Sequence, residues 1–232
     1  MSPAVRREQL AGALAALERR LTAACEAAGR ERSAVTLIAV TKTHPVEDVA
    51  LLAELGVTDV GENRDQEAAV KAAALTELRW HFVGGLQTNK ARSVTAYAAV
   101  VHSVDRPALA AALSAGAVRA QRSVDVLLQV SLDGDPARAG ALPRDIATLA
   151  EHVADAPGLR LAGVMAVAPR AVDPAVAFAE LATLSQRLRT RHPGAVDISA
   201  GMSGDLEQAV AYGATYVRVG TALLGPRPPA LG

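Results

Sequence analysis

The feature that most limits what this chain can become is an alternation of two kinds of segment. Eight short runs rich in β-branched residues are separated by Ala- and Leu-rich segments of helical period. The runs are VTLIAVT (35–41), VTDVG (57–61), WHFVG (80–84), VVHSV (100–104), VDVLLQVS (124–131), LRLAGVM (159–165), VDIS (196–199) and TYVRVG (215–220). Between them lie segments such as VEDVALLAELG, RDQEAAVKAAALTEL and DPAVAFAELATLSQRLRTR. Strands joined by helical crossovers pair in parallel with right-handed connections, and eight such units can close on themselves. The expectation is an α/β fold, a single (β/α)8 TIM barrel, with about 29 residues for each unit. An open doubly wound sheet is the structural rival, but no G-x-G-x-x-G follows the first strand.

Ahead of the first run, Leu10, Leu14, Leu17 and Leu21 recur at helical spacing, and the pattern ends at Gly29. Residues 1–30 therefore read as an extra N-terminal helix and 35–227 as the barrel, with 1–232 as one domain. Asp105 and Asp173, each just ahead of a proline-initiated helical segment, read as helix caps.

Function in a barrel gathers at the C-terminal ends of the strands, with phosphate groups often held after strands 7 and 8. Those ends are small, polar or charged here. SAGMSGD (199–205) places two hydroxyls and two glycines before the helical segment LEQAVAYG, and Gly220-Thr221 repeats the arrangement one strand later. Such turns converge amides and hydroxyls on an anion, although either alone is also an ordinary cap or tight turn. At the end of strand 1 stands Lys42, on the face shared by Ile38 and Val40. Composition makes that lysine stand out, because 21 of the 24 cations are Arg and only Lys42, Lys71 and Lys90 are Lys.

Two uses of Lys42 are open from the residues alone. It is a counter-charge or salt-bridge partner, or it is an amine of lowered proton affinity that attacks a carbonyl as a Schiff-base nucleophile. Arg218, opposite Val217 and Val219 in an apolar strand, needs a buried partner, which is either a structural carboxylate or the ring nitrogen of a cofactor. A Schiff-base lysine, a phosphate cup and an arginine at a ring nitrogen together suit pyridoxal phosphate.

IAVTK, VGENRDQE, WHFVGGLQTNKA, LAGVMAVAP, ISAGMSGDLEQAVAYG and VRVGTALLGPR, in order from about residue 37 to 227, resemble the blocks of the pyridoxal phosphate homeostasis protein family. The fold of that family is similar to the barrel domain of alanine racemase. The resemblance implies that Lys42 carries pyridoxal 5'-phosphate as a reversible Schiff base and that Arg218 faces the pyridine nitrogen. Ser199, Gly201, Met202, Ser203, Gly220 and Thr221 match the phosphate-binding segments, and Asn63, His81 and Met165 match blocks that line the pocket. Departures from the pattern fall in LQVSLDGDPARAG, at Ser131, Pro136 and Arg138, and at Arg64-Asp65.

An arginine at the pyridine nitrogen leaves the ring a poor electron sink, which disfavours transaminase chemistry. Racemisation needs proton-transferring groups on both faces. The resemblance implies that the second is a tyrosine from a further β-rich domain, and no such domain is evident in a chain that closes on Pro226, Pro228 and Pro229. Tyr97, Tyr212 and Tyr216 do not fall at strand C-terminal ends. The expectation is a non-catalytic pyridoxal phosphate-binding protein that serves cofactor homeostasis, with pyridoxal phosphate-dependent apoenzymes as possible partners. A weak racemase is the first alternative and a class I aldolase without cofactor the second.

The remaining features fix class. Formal net charge is zero, which argues against nucleic acid. No apolar run approaches the ~18 residues of a membrane helix, and MSPAVRREQL lacks the apolar centre of a signal peptide, so a cytoplasmic protein is expected, and neutral charge with no dimer-forming second domain evident points to a monomer. Cys25 is the only cysteine, which excludes an internal disulfide, and the histidines at 44, 81, 102, 152 and 192 lack metal-ligand spacing. Asp133-Gly134-Asp135 reads as a turn, Glu62 as a partner for a nearby arginine, and Lys90 as a rim residue.

Overall fold

A computed structural model describes residues 2–135 and 139–226. Pro136, Arg138, Arg227, Pro228 and Pro229 lie outside these residues. Eight strands pair in parallel in chain order and close into a barrel, β8 hydrogen-bonding to β1. They are β1 (Thr36–Val40), β2 (Asp59–Glu62), β3 (Arg79–Phe82), β4 (Val100–Val104), β5 (Val124–Gln129), β6 (Leu159–Met165), β7 (Asp197–Ser199) and β8 (Tyr216–Val219). Around them run α2 (Val46–Glu54), α3 (Asp65–Ala74), α4 (Ala91–Tyr97), α5 (Pro107–Arg119), α6 (Ile146–Ala154), α7 (Pro174–Arg191), α8 (Leu206–Ala211) and α9 (Thr221–Leu224). Each strand lies within three residues of its expected position at either end, because β-branched runs bounded by turn residues leave little choice.

Alternation along the strands divides the core in two. Ala39, Val60, Phe82, Val101, Val126, Val164 and Val217 join the helices in the larger apolar layer outside the barrel. Val100, Leu127, Ala162 and Met165 form a smaller cluster, and Ile38 and Val40 of the paired strand β1 crowd Gly61 on the interior face. The interior is narrow there: a Cβ on Gly61 would stand 2.9 Å from Ile38 Cγ2.

The extra helix α1 (Pro3–Ala27) starts at the Ser2 cap and stops before Gly29. Its leucine stripe buries Leu10, Leu17 and Leu21, with Leu14 packed at the edge. At roughly 2 kcal/mol for each buried leucine, the stripe holds α1 against α2, α8 and α9. Two arginines pin it to the face where strands end. Arg6 forks onto Asp48 of α2 at 2.9 and 2.6 Å and donates to Leu224 O at 3.0 Å. Arg20 pairs with Glu207 of α8 and donates to Ser203 O at 3.1 Å.

Of the two expected caps, Asp173 accepts from Ala175 N at 2.9 Å. Asp105 does not cap. Arg106 occupies the N-cap position of α5, and the Asp105 carboxylate pairs with the Arg106 side chain at 2.5 Å instead. Among the described residues no helix is long and apolar enough to cross a membrane.

Candidate functional site

Lys42 follows Val40 by two residues, in the turn that leaves β1, and is half-buried. The turn is built tightly. Thr41 N still pairs with Gly61 O of β2 at 2.9 Å, and His44 N closes on Thr41 O at 3.1 Å. Thr43 has φ +68°, a left-handed conformation that is strained for a β-branched side chain. What holds it is a buried ionic cage. Lys71 of α3 donates to Thr41 O at 2.9 Å and to Glu62 Oε1 and Glu67 Oε1, each at 2.6 Å. Thr41 Oγ1 donates to Glu62 Oε1 at 2.7 Å, and Thr43 N to Glu67 Oε1 at 2.7 Å. Burial pushes the Glu62 carboxyl up, and its bonds to Lys71 and Thr41 only partly offset this.

Glu62 therefore meets a lysine and not the arginine that the sequence suggested. Lys71 was not singled out as a site residue. The signal for it is local: Glu67 and Lys71 stand four apart in α3, between Ala68 and Ala72 on the face that packs inward.

β8 neighbours β1 and brings Arg218 to the level of Ile38. Its guanidinium is buried, donating from Nη1 to Ser199 Oγ at 2.5 Å and from Nη2 to Ala166 O at 2.9 Å. Among the described residues no carboxylate lies within ion-pair distance of it. Burial pushes its pKa down to about 10, with the Asp205 charge pulling the other way. Among the described residues two of its five N–H groups are bound and none to an anion, which leaves donors for a further acceptor. That vacancy of partner fits a pyridine nitrogen.

The two anion turns are neighbours beside Lys42, since β1, β8 and β7 are consecutive in the barrel. Gly201 has φ +90°, and a Cβ there would lie 2.6 Å from Ala209 Cβ, so only glycine makes this bend. Its carbonyl accepts from Arg218 N at 2.9 Å. Met202 is partly exposed, and its amide donates to Asp205 Oδ1 at 2.6 Å, which occupies that donor. The Ser203 and Thr221 amides find no acceptor among the described residues. Gly220 approaches strand β1 so closely that a Cβ would stand 3.2 Å from Val40 O.

Two assigned residues, Ser199 and His81, have their polar atoms taken up by a network inside the barrel. The Ser199 hydroxyl is committed to Arg218 and to His102 Nδ1, 2.8 Å away, so it serves the cation and not the anion turn. His81 lies inside the barrel at the level of Gly61 and Val100, its Nδ1 2.9 Å from His102 Nε2 and its Nε2 2.8 Å from Asp59 Oδ1. With both nitrogens occupied it is not a general base at the mouth. Met165, the last residue of β6, packs with Val100 and Leu127. Asn63 follows β2, its buried Oδ1 without a hydrogen-bond partner among the described residues.

The secondary features resolve simply. Tyr97 ends α4, Tyr212 follows α8 and Tyr216 opens β8, so none stands at a strand C-terminal end. Lys90 ends a short 3-10 turn, its Nζ 4.0 Å from Asp65. Asp133 accepts from Asp135 N at 3.3 Å across Gly134, a turn.

Residues 13–228 match the family model of the alanine racemase N-terminal domain. A pyridoxal phosphate homeostasis protein of Mycobacterium bovis is 43% identical over 96% of this chain and 94% of its own length. One from Corynebacterium glutamicum is 42% identical over 91% of this chain and 99% of its own. Among solved structures, PipY of Synechococcus elongatus with pyridoxal phosphate bound superposes with TM-score 0.82 at 36% identity, covering 93% of this chain and all of that one. An alanine racemase of Corynebacterium glutamicum shares the fold at 16% identity and TM-score 0.68, this chain spanning 62% of its length. By these matches the chain belongs to the pyridoxal phosphate homeostasis protein family.

Proposed function

We propose that this protein binds pyridoxal 5'-phosphate at the C-terminal face of its barrel, with Lys42 as the covalent anchor, and holds the cofactor for intracellular homeostasis without turning over a substrate. The observation that carries this reading is Arg218, a buried cation with no carboxylate partner among the described residues, one strand from a lysine whose turn is locked in place. When bound, the group supplies an aldehyde that condenses reversibly with a primary amine, forming a C=N bond and releasing water.

The chain's own residues then divide the work. Lys42 supplies the amine, and the Lys71 cage fixes its approach. Arg218 binds the ring nitrogen and keeps it unprotonated. Gly201, Ser203, Gly220 and Thr221 form the two turns for the phosphate, while Met202 lines their outer edge. Asn63 and Met165 bound the pocket at β2 and β6. Support for a binding role comes from the relatives, which are named homeostasis proteins, and from the commitment of both His81 nitrogens.

The test is spectroscopic. Purified protein mixed with pyridoxal phosphate should gain an absorption band near ~420 nm that Lys42→Ala abolishes. No uptake by the wild type would sink the reading. Exchange of the α-proton of alanine in heavy water at about 1 per second or faster, an ordinary turnover rate, would replace it with a racemase.

A further inference from the structure

The interior of a (β/α)8 barrel is ordinarily filled by layers of branched aliphatic side chains. Here a line of polar groups crosses it. Asp59 opens β2 at the N-terminal end of the barrel and lies 2.8 Å from His81 Nε2; His81 Nδ1 lies 2.9 Å from His102 Nε2; His102 Nδ1 lies 2.8 Å from Ser199 Oγ; and Ser199 Oγ accepts from Arg218 at 2.5 Å. The four contacts tie β2, β3, β4, β7 and β8 into one chain of hydrogen bonds. His81, His102 and Ser199 are fully buried, and the Tyr216 ring stands edge-on to both imidazoles at 5.5 and 5.7 Å.

The donors in this chain have only one consistent arrangement. Asp59 is ionised: its hydrogen bonds from His81 and Thr58 outweigh its burial and hold it below the usual carboxylate range. His81 must therefore present Nε2–H to it. Burial keeps both imidazoles neutral, and at His102 the charges of Arg218 and Arg79 push the same way. At His81, Asp59 and Asp125 oppose that push and Arg79 adds to it. A neutral His81 accepts at Nδ1, so His102 carries Nε2–H and accepts at Nδ1. Ser199 then gives its single hydrogen to His102 and turns its lone pairs to Arg218, which can only donate. Turning donation around at both imidazoles would set His81 Nε2 and the Asp59 carboxylate face to face as two acceptors.

We propose that Asp59, His81 and His102 are positioning residues for Arg218, acting through Ser199 from the opposite end of the barrel. The chain holds the guanidinium in one orientation and presents it as a fixed cation at the site; the consequence for a ring nitrogen rests on the cofactor reading above. A merely structural polar network would fill the same space without controlling the direction of donation.

Nitrogen-15 NMR of the unliganded protein separates these roles without any cofactor. At pH 7.5 both histidines should be neutral with the proton on Nε2, and the Arg218 Nη resonances should be distinct because rotation about Cζ–Nε is slow. Asp59→Asn keeps the shape but lets the amide donate or accept, so the histidines should populate both tautomers and the Arg218 Nη signals should broaden or merge. A wild-type His81 or His102 carrying Nδ1–H, or an Arg218 signal unchanged in Asp59→Asn, would overturn the proposal. Titration with pyridoxal phosphate then reads the consequence: affinity should fall about tenfold in Asp59→Asn, the scale of one lost charge-assisted contact, with the band of the bound form shifting in its pH profile. Wild-type uptake with no change in Asp59→Asn sinks the positioning role alone, whereas a wild type that takes up nothing sinks the cofactor reading and leaves the NMR to decide the relay. Should Asp59→Asn fail to fold, the wild-type tautomers alone confirm or refute the direction of donation.

Discussion

Lys71 and Arg218 are both buried cations near the C-terminal face of the same barrel, and the chain treats them in opposite ways. Lys71 has two carboxylates and a carbonyl at 2.6 to 2.9 Å, which use all three of its donors. Arg218 has a hydroxyl and a carbonyl, and no carboxylate within reach among the described residues. Burying charge is costly unless it is matched. A matched pair is architecture, here the lock on the turn that carries Lys42. An unmatched cation kept in place by neutral groups is what the proposed cofactor contact at Arg218 rests on.

The comparison breaks most visibly at Lys71. Lys71→Met would leave Glu62 buried with only the Thr41 hydroxyl, and should lower unfolding free energy by about 3–5 kcal/mol in a urea titration. It should also reduce attachment at Lys42, because the turn loses its anchor. A loss below about 1 kcal/mol would show that the cage is not architectural.

Acidification sharpens the other half. The pKa values of His81 and His102 are lowered from 6.5 in the folded barrel. Below pH 6.5 the unfolded chain therefore binds protons that the folded chain does not, and stability falls as pH falls. The slope should reach up to about 1.4 kcal/mol per pH unit for each histidine between pH 6.5 and 5. His102→Phe should reduce it while His81 and His44 keep part of it, and a wild-type stability constant over that range would contradict the neutral relay.

Arg218→Met is the mirror of Lys71→Met. It strands no carboxylate, so the unliganded protein should change by about 1 kcal/mol or less, while uptake of pyridoxal phosphate should fall sharply. A destabilisation as large as that of Lys71→Met would mean that Arg218 has a structural partner after all. The smallest effect belongs to Thr43→Gly, where relief of the left-handed strain competes with added chain entropy and should stabilise by less than about 1 kcal/mol.

Much of this was written in local pattern. Eight β-branched runs with helical spacers set the barrel, strand alternation aimed Lys42 at its mouth, and an arginine between Val217 and Val219 announced a buried charge. The partners were not local. Whether Glu62 meets an arginine or a lysine depends on how α3 lies across β2, which rests on small residues such as Ala68 and Ala72 and not on any charge signature. His81 between Trp80 and Phe82 could be read as facing inward, yet its neighbours His102 and Asp59 come from other strands at registers that no single segment specifies. Ser199 shows the same limit: its place in a glycine-rich turn suggested a phosphate contact, and only barrel closure reveals Arg218 beside it.

Closure of β8 onto β1 has a further consequence for the life of the chain. The strand that leads to Lys42 is made first, and the strand that bears Arg218 and leads to Gly220 and Thr221 is made last. Their pairing is among the most distant in the sequence, and such contacts form late because a long loop must be closed before they stabilise anything. A nascent or partly folded chain has the amine but neither the cation nor the turns that would surround it. On the proposed reading, selective capture of the cofactor would report that the barrel has closed.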